Sequence, residues 1–105
     1  MIDTLEIVET LPPMHPGELL REEFMNPLGL SAGTVAKAIG VPRTRVERIV
    51  AGEEGISADT VLRLSRLFSV SPRYWPSAQS RYDLEKATLK IGAMIDLIQP
   101  IGKAA

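Results

Sequence analysis

The chain contains no cysteine. That excludes a disulfide framework, a thiolate-ligated zinc and a thiol nucleophile, and it suits a reducing compartment. Aromatic residues amount to only 5%, and the alternating β-branched and aromatic runs that mark strands are missing. A single histidine, His15, stands outside any nucleophile motif, and no glycine-rich phosphate loop occurs; catalytic machinery is therefore not expected. No apolar run reaches membrane-spanning length. Asp3, Glu6 and Glu9 stand where a secretory signal would carry positive charge, so the expected location is the cytoplasm. Neither sign of charge dominates: 12 basic residues face 13 acidic ones, for a net charge of -1.

What the chain does have is aliphatic residues spaced three and four apart through most of its 105 residues. This pattern predicts one all-α domain. Residues 1–13 end in Pro12-Pro13 and read as an N-terminal arm, strand or disordered. His15 as cap and Pro16 at the first helical position predict a first helix whose buried side is marked by Leu20, Phe24 and Leu28 and which ends at Pro27 and Gly29. Ser31 caps a second, short helix with Val35, Ala36 and Ile39 on one face and Gly40 as its stop. A third follows at once, from Pro42 to Ala51, with Val46, Ile49 and Val50 inward and Gly52 after it. Ser57 caps a fourth, whose buried candidates are Val61, Leu62, Leu64, Leu67 and Phe68 and whose end falls near Ser69. Ser71-Pro72 signals a further start, with a kink or restart expected at Pro76 and a long C-terminal helix stopped at Pro100 and interrupted by Gly92. The expected division is an arm over 1–13, a helical domain over 14–83, and a helical extension and tail over 84–105.

The neutral total hides local segregation. Residues 1–30 carry one arginine against six acids, whereas residues 31–52 carry Lys37, Arg43, Arg45 and Arg48 against Glu47 alone. In that basic segment Ala36, Gly40, Val46 and Ile49 occupy the offsets of a helix-turn-helix: a small residue at the helix crossing, glycine in the turn, aliphatics inside. Arg43, Thr44, Arg45, Glu47 and Arg48 are then left outward, at the end of the second helix of the motif that meets base edges and phosphates. Arginine suits both targets, since its guanidinium donates two parallel hydrogen bonds to guanine or to phosphate.

The run from Met14 to Ala87 resembles HigA-type antitoxins, members of the Xre/Cro (lambda repressor-like) helix-turn-helix family that also take in virulence-associated protein I-like proteins. Three motifs carry the likeness in order: HPGELLREEF, the GVPRTR turn, and ISADTVLRL ahead of SPRYW. The resemblance implies a five-helix DNA-binding antitoxin that forms a homodimer, binds double-stranded operator DNA to repress its own operon, and neutralises a small HigB-like RNA-cleaving toxin. Carried over residue by residue, it implies DNA contacts from Ser31 and Thr34 at the first helix of the motif and from Pro42, Arg43, Thr44, Arg45 and Arg48 around its second; Lys37 adds attraction to the backbone. Two departures stand out. Ala32-Gly33 replaces the glutamine with which many such domains begin that helix, and Pro76 follows Trp75 where an aliphatic residue is usual.

Plainer roles fit the remaining conspicuous residues. Tyr74, Trp75 and Tyr82 are expected to close the core, His15 to cap a helix, and Glu53-Glu54 to form a solvated turn, with no metal or cofactor. The apolar series Leu84, Ala87, Ile91, Met94, Ile95 and Ile98 fits a dimer seam, a toxin-binding helix or cover for the domain. Two other functions remain open from sequence: an Xre-type regulator without a toxin, and a protein-interaction module that does not bind DNA.

Overall fold

Residues 13–102 are described by the computed structural model of the chain. The expected arm therefore lies outside the described residues except for Pro13, as does the end of the tail. Five helices, and no strand among the described residues, follow one another. Helix α1 is α-helical over Pro16–Leu19 and continues as a π-helix over Leu20–Met25. Then come α2, Ala32–Ile39, and α3, Arg43–Val50. Helices α4, Ala58–Phe68, and α5, Tyr74–Ile95, complete the chain.

The caps lie where the polar residues suggest. The Nδ1 atom of His15 accepts from the Gly17 N–H at 2.8 Å, and Ser31 and Ser57 accept from the N–H groups of Thr34 and Thr60; each satisfies an amide that the helix itself leaves without an acceptor. At the end of α2, Gly40 adopts φ 72°. This left-handed turn lets the Val41 N–H reach the Ala36 carbonyl at 3.0 Å and swings the chain into α3 within three residues, a step that a Cβ would strain. Helix α4 ends with the same type of bond, Val70 N–H to Ser65 carbonyl, but through Ser69 at φ 55°.

The core gathers Leu20 and Met25 from α1, Val35, Ala36 and Ile39 from α2, Val46 and Ile49 from α3, Val61 and Leu64 from α4, and Trp75 from α5. Phe24 tilts against Phe68 and Trp75, with ring centroids 4.9 and 5.1 Å apart, and so joins α1, α4 and α5. Trp75 is fully buried, in keeping with its expected packing role, whereas Tyr74 is partly exposed.

Four expectations are corrected. Leu28 is exposed, and Met25 takes the buried place instead. The π-turn puts residue i+5 rather than i+4 on the same side as Leu20, with the Asn26 N–H on the Arg21 carbonyl at 2.8 Å. On α4, Leu62 and Leu67 face outward, and the inner positions go to Thr60 and Ser65; Thr60 is accommodated because its hydroxyl bonds Ser57 Oγ at 3.2 Å. Pro76 causes neither kink nor restart: α5 begins at Tyr74, after a turn in which Ser71 accepts from the Tyr74 N–H. Proline is then in the first turn, where its missing N–H had no intrahelical acceptor and residue 72 lies outside the helix. Finally, α5 runs unbroken through Gly92 and ends at Ile95, short of Pro100.

Candidate nucleic-acid interface

Helices α2 and α3 form the helix-turn-helix, and contacts with α1, itself tied to α5, fix how α3 is presented. The first turn of α1 meets the last turn of α3 so closely that a Cβ on Gly17 would stand 1.6 Å from the Ile49 carbonyl oxygen. Arg21 of α1 donates to the Val50 carbonyl at 3.3 Å, a cation placed on the negative end of the α3 dipole. The His15 ring lies edge-on to Tyr82 of α5, with centroids 4.9 Å apart. With Val46 and Ile49 in the core, α3 has one orientation.

The outer face follows from this. Arg43, Thr44, Glu47 and Arg48 are exposed on α3; Ser31, Thr34 and Lys37 are exposed on α2, and Pro42 is exposed in the turn between them. The turn brings the two rows together at their starting ends: a Cβ on Gly33 would stand 3.4 Å from Arg43 Cδ, so the Arg43 stem lies beside the first turn of α2. Ser31 is not free there, since its Oγ caps the helix and lies 2.9 Å from Thr34 Oγ1.

The arginines, alike in sequence, differ in their electrostatic surroundings. Arg43 pairs with Glu47 one turn on, Nε to Oε2 at 3.2 Å. Arg45 is half-buried and donates from a terminal guanidinium nitrogen to Asp59 Oδ2 of α4 at 3.1 Å. The same oxygen accepts from Arg63 Nε at 3.0 Å, and Arg63 also donates to the Ile39 carbonyl at 2.6 Å, tying the ends of α2, α3 and α4 together. Lys37 and Arg48 form no ion pair among the described residues. Sequence reading placed Glu47 outward, and its spacing of four from Arg43 made the pairing legible. Asp59 lies in the first turn of α4, 14 residues from Arg45, and no local signal in the sequence points to this contact.

Residues 20–75 match the family described as Helix-turn-helix. Virulence-associated protein I of Dichelobacter nodosus is 48% identical over 77 residues, which is 73% of this chain and 71% of that protein. Antitoxin HigA-1 of Vibrio cholerae is 31% identical, over 69% and 68% of the two chains. This chain belongs to the Xre-type helix-turn-helix family that includes the HigA antitoxins. A solved structure of this family, Pseudomonas aeruginosa antitoxin HigA with the higBA promoter, superposes with a TM-score of 0.81 at 40% identity, covering 86% of this chain and 99% of that one. The family is one of DNA-binding regulators and antitoxins, not of enzymes. Within its frame, α3 is the second helix of the motif and carries Arg43, Thr44, Arg45 and Arg48 on the side away from the core. No helix among the described residues is long and apolar enough to cross a membrane.

Proposed function

We propose that this chain is a sequence-specific transcriptional repressor and the antitoxin of a HigA-type module, which binds double-stranded operator DNA as a homodimer, represses its own operon by occlusion and neutralises a small HigB-like RNA-cleaving toxin. The observation that carries the reading is the docked α3: its inner residues are buried, and its outer ones form a basic face continuous with Thr34 and Lys37. The related antitoxin HigA, solved with a promoter, supports the same use here. A helix of this diameter fits a major groove about 12 Å wide. In that groove Arg43, Thr44, Arg45 and Arg48 face bases or phosphates, while Ser31, Thr34, Lys37 and Pro42 flank the backbone. Pairing of two copies follows from geometry, because one motif reads one half-site and two half-sites lie about 34 Å apart. The exposed apolar residues of α5 support a second copy as the occupant of that helix. In this reading residues 14–83 are the DNA-binding domain and 84–105 its extension.

Fluorescence anisotropy on the DNA upstream of the gene, over a salt series, tests the reading. Wild type is expected to bind with steep salt dependence. Arg48→Ala should weaken operator binding by about 1–3 kcal/mol and relax discrimination at one position. Lys37→Ala should weaken operator and scrambled DNA alike and reduce the salt slope by about one. Folded wild type that fails to bind at low salt would overturn the proposal; co-purification with the product of the adjacent small gene tests the toxin arm.

A further inference from the structure

We infer that Asp59, outside the helix-turn-helix, is a specificity-determining residue: its carboxylate, anchored by Arg63, holds Arg45 of α3 on the side facing α4. The inference rests on the DNA-binding reading above and deepens it. An arginine on a reading helix can satisfy itself on any phosphate, and such contacts favour every sequence equally. To discriminate, its guanidinium must be kept from the backbone and presented to a base edge. Asp59 supplies both conditions. It occupies one terminal nitrogen of Arg45 at 3.1 Å, which leaves the other donors of the fork available, and its negative charge opposes a phosphate approaching from the same side.

Anchoring on a second helix separates this clamp from the other ion pair on the face. Glu47 sits on α3 beside Arg43, both side chains largely exposed at 45% and 71%, and such an exposed pair exchanges freely with solvent and phosphate. Asp59 belongs to another helix. It lies in the first turn of α4 behind the Ser57 cap, where the helix dipole favours a carboxylate. Its Oδ2 also takes the Arg63 Nε at 3.0 Å, while Arg63 is itself fixed on the Ile39 carbonyl. Asp59 and Arg45 nevertheless remain reachable from solvent, at 57% and 39% side-chain exposure. Losing the carboxylate frees Arg45 for the backbone and removes the repulsion at once, so general affinity and discrimination move in opposite directions.

The test compares Asp59→Asn and Asp59→Ala with wild type on operator and scrambled duplexes across a salt series, each also in an Arg45→Ala background, with thermal melting of every variant. The expected result is tighter binding to scrambled DNA, a steeper salt slope, and an operator-to-scrambled ratio reduced by about fivefold or more. In the Arg45→Ala background the same substitutions should leave that ratio unchanged. Equal changes on both duplexes, or an Asp59 effect on the operator-to-scrambled ratio that survives in the Arg45→Ala background, would overturn the inference. Asparagine keeps the size and a hydrogen-bonding oxygen, so the comparison stands even if the alanine variant fails to fold. A wild type that binds no DNA defeats the functional reading itself, whereas a discriminating wild type with indifferent Asp59 variants defeats only this inference.

Discussion

The cap on α1 is a titratable one. His15 accepts the Gly17 N–H through Nδ1 at 2.8 Å, which requires that nitrogen to be unprotonated. Burial pushes its pKa below the ordinary 6.5, Lys86 acts in the same direction, and Asp83 and Glu18 oppose them. A histidine pKa that is lower folded than unfolded gives stability present in full above about pH 6.5 and lost as pH falls through the folded value. Denaturant titrations at about pH 7 and about pH 5 should therefore show a lower midpoint in acid. His15→Asn keeps a capping oxygen without the titration and should flatten this dependence; an unchanged slope in the variant would place the acid sensitivity elsewhere. The sequence foretold the cap from His15-Pro16, but the tie to Tyr82, 67 residues on in the chain, could not be read locally.

At the scale of helices, a close approach of two backbones matters more than any side-chain pair. Gly17 in α1 faces the Ile49 carbonyl of α3, and a Cβ there would overlap it at 1.6 Å. Since the obstacle is backbone, Gly17→Ala must lever α1 off α3, at a cost of at least about 3 kcal/mol. Thermal or urea unfolding measures it, and operator affinity should fall with the population in which α3 is docked. A stability loss below about 1 kcal/mol would mean that the helices separate easily. In the sequence this glycine looks like an unfavourable helix residue, because the helix it touches lies 32 residues away. The exchange of Leu28 for Met25 comes from local geometry: a 3.6-residue period points to Leu28, whereas the chain follows the wider π-turn. Elsewhere the period held, as with Val35, Ala36 and Ile39 inward on α2 and Val46 and Ile49 on α3.

Taken whole, the molecule spans 50 × 38 × 24 Å, and α5 has 22 residues, about 33 Å long at 1.5 Å per residue. Trp75 is its one buried residue, while Leu84, Leu89, Met94 and Ile95 are each at least half exposed. The described residues thus do not use this apolar series to cover their own core, which argues against the covering role and leaves the face for a second copy or a toxin. Leu84→Asp with Met94→Asp should reduce the sedimenting mass to that of a monomer and weaken binding to the full operator more than to an isolated half-site, with little change in melting temperature. A wild type that sediments as a monomer, or a variant that remains dimeric, would count against pairing through α5.

The sequence by itself determined what depends on near neighbours along the chain: five helices from caps and apolar spacing, the tight turn at Gly40, the basic segment at 31–52, and the family through motifs that are contiguous in the chain. Tertiary structure decided what depends on distance through space. Lys37, Arg43, Arg45 and Arg48 are all simply basic in one dimension; Arg45 becomes a held side chain only because α4 brings Asp59 within 3.1 Å. Periodicity reports which face of a helix is apolar, and capping reports where it starts, because both are set within a few residues. The partner of a charge and the space beside a glycine are set by packing between helices, and no local pattern records them.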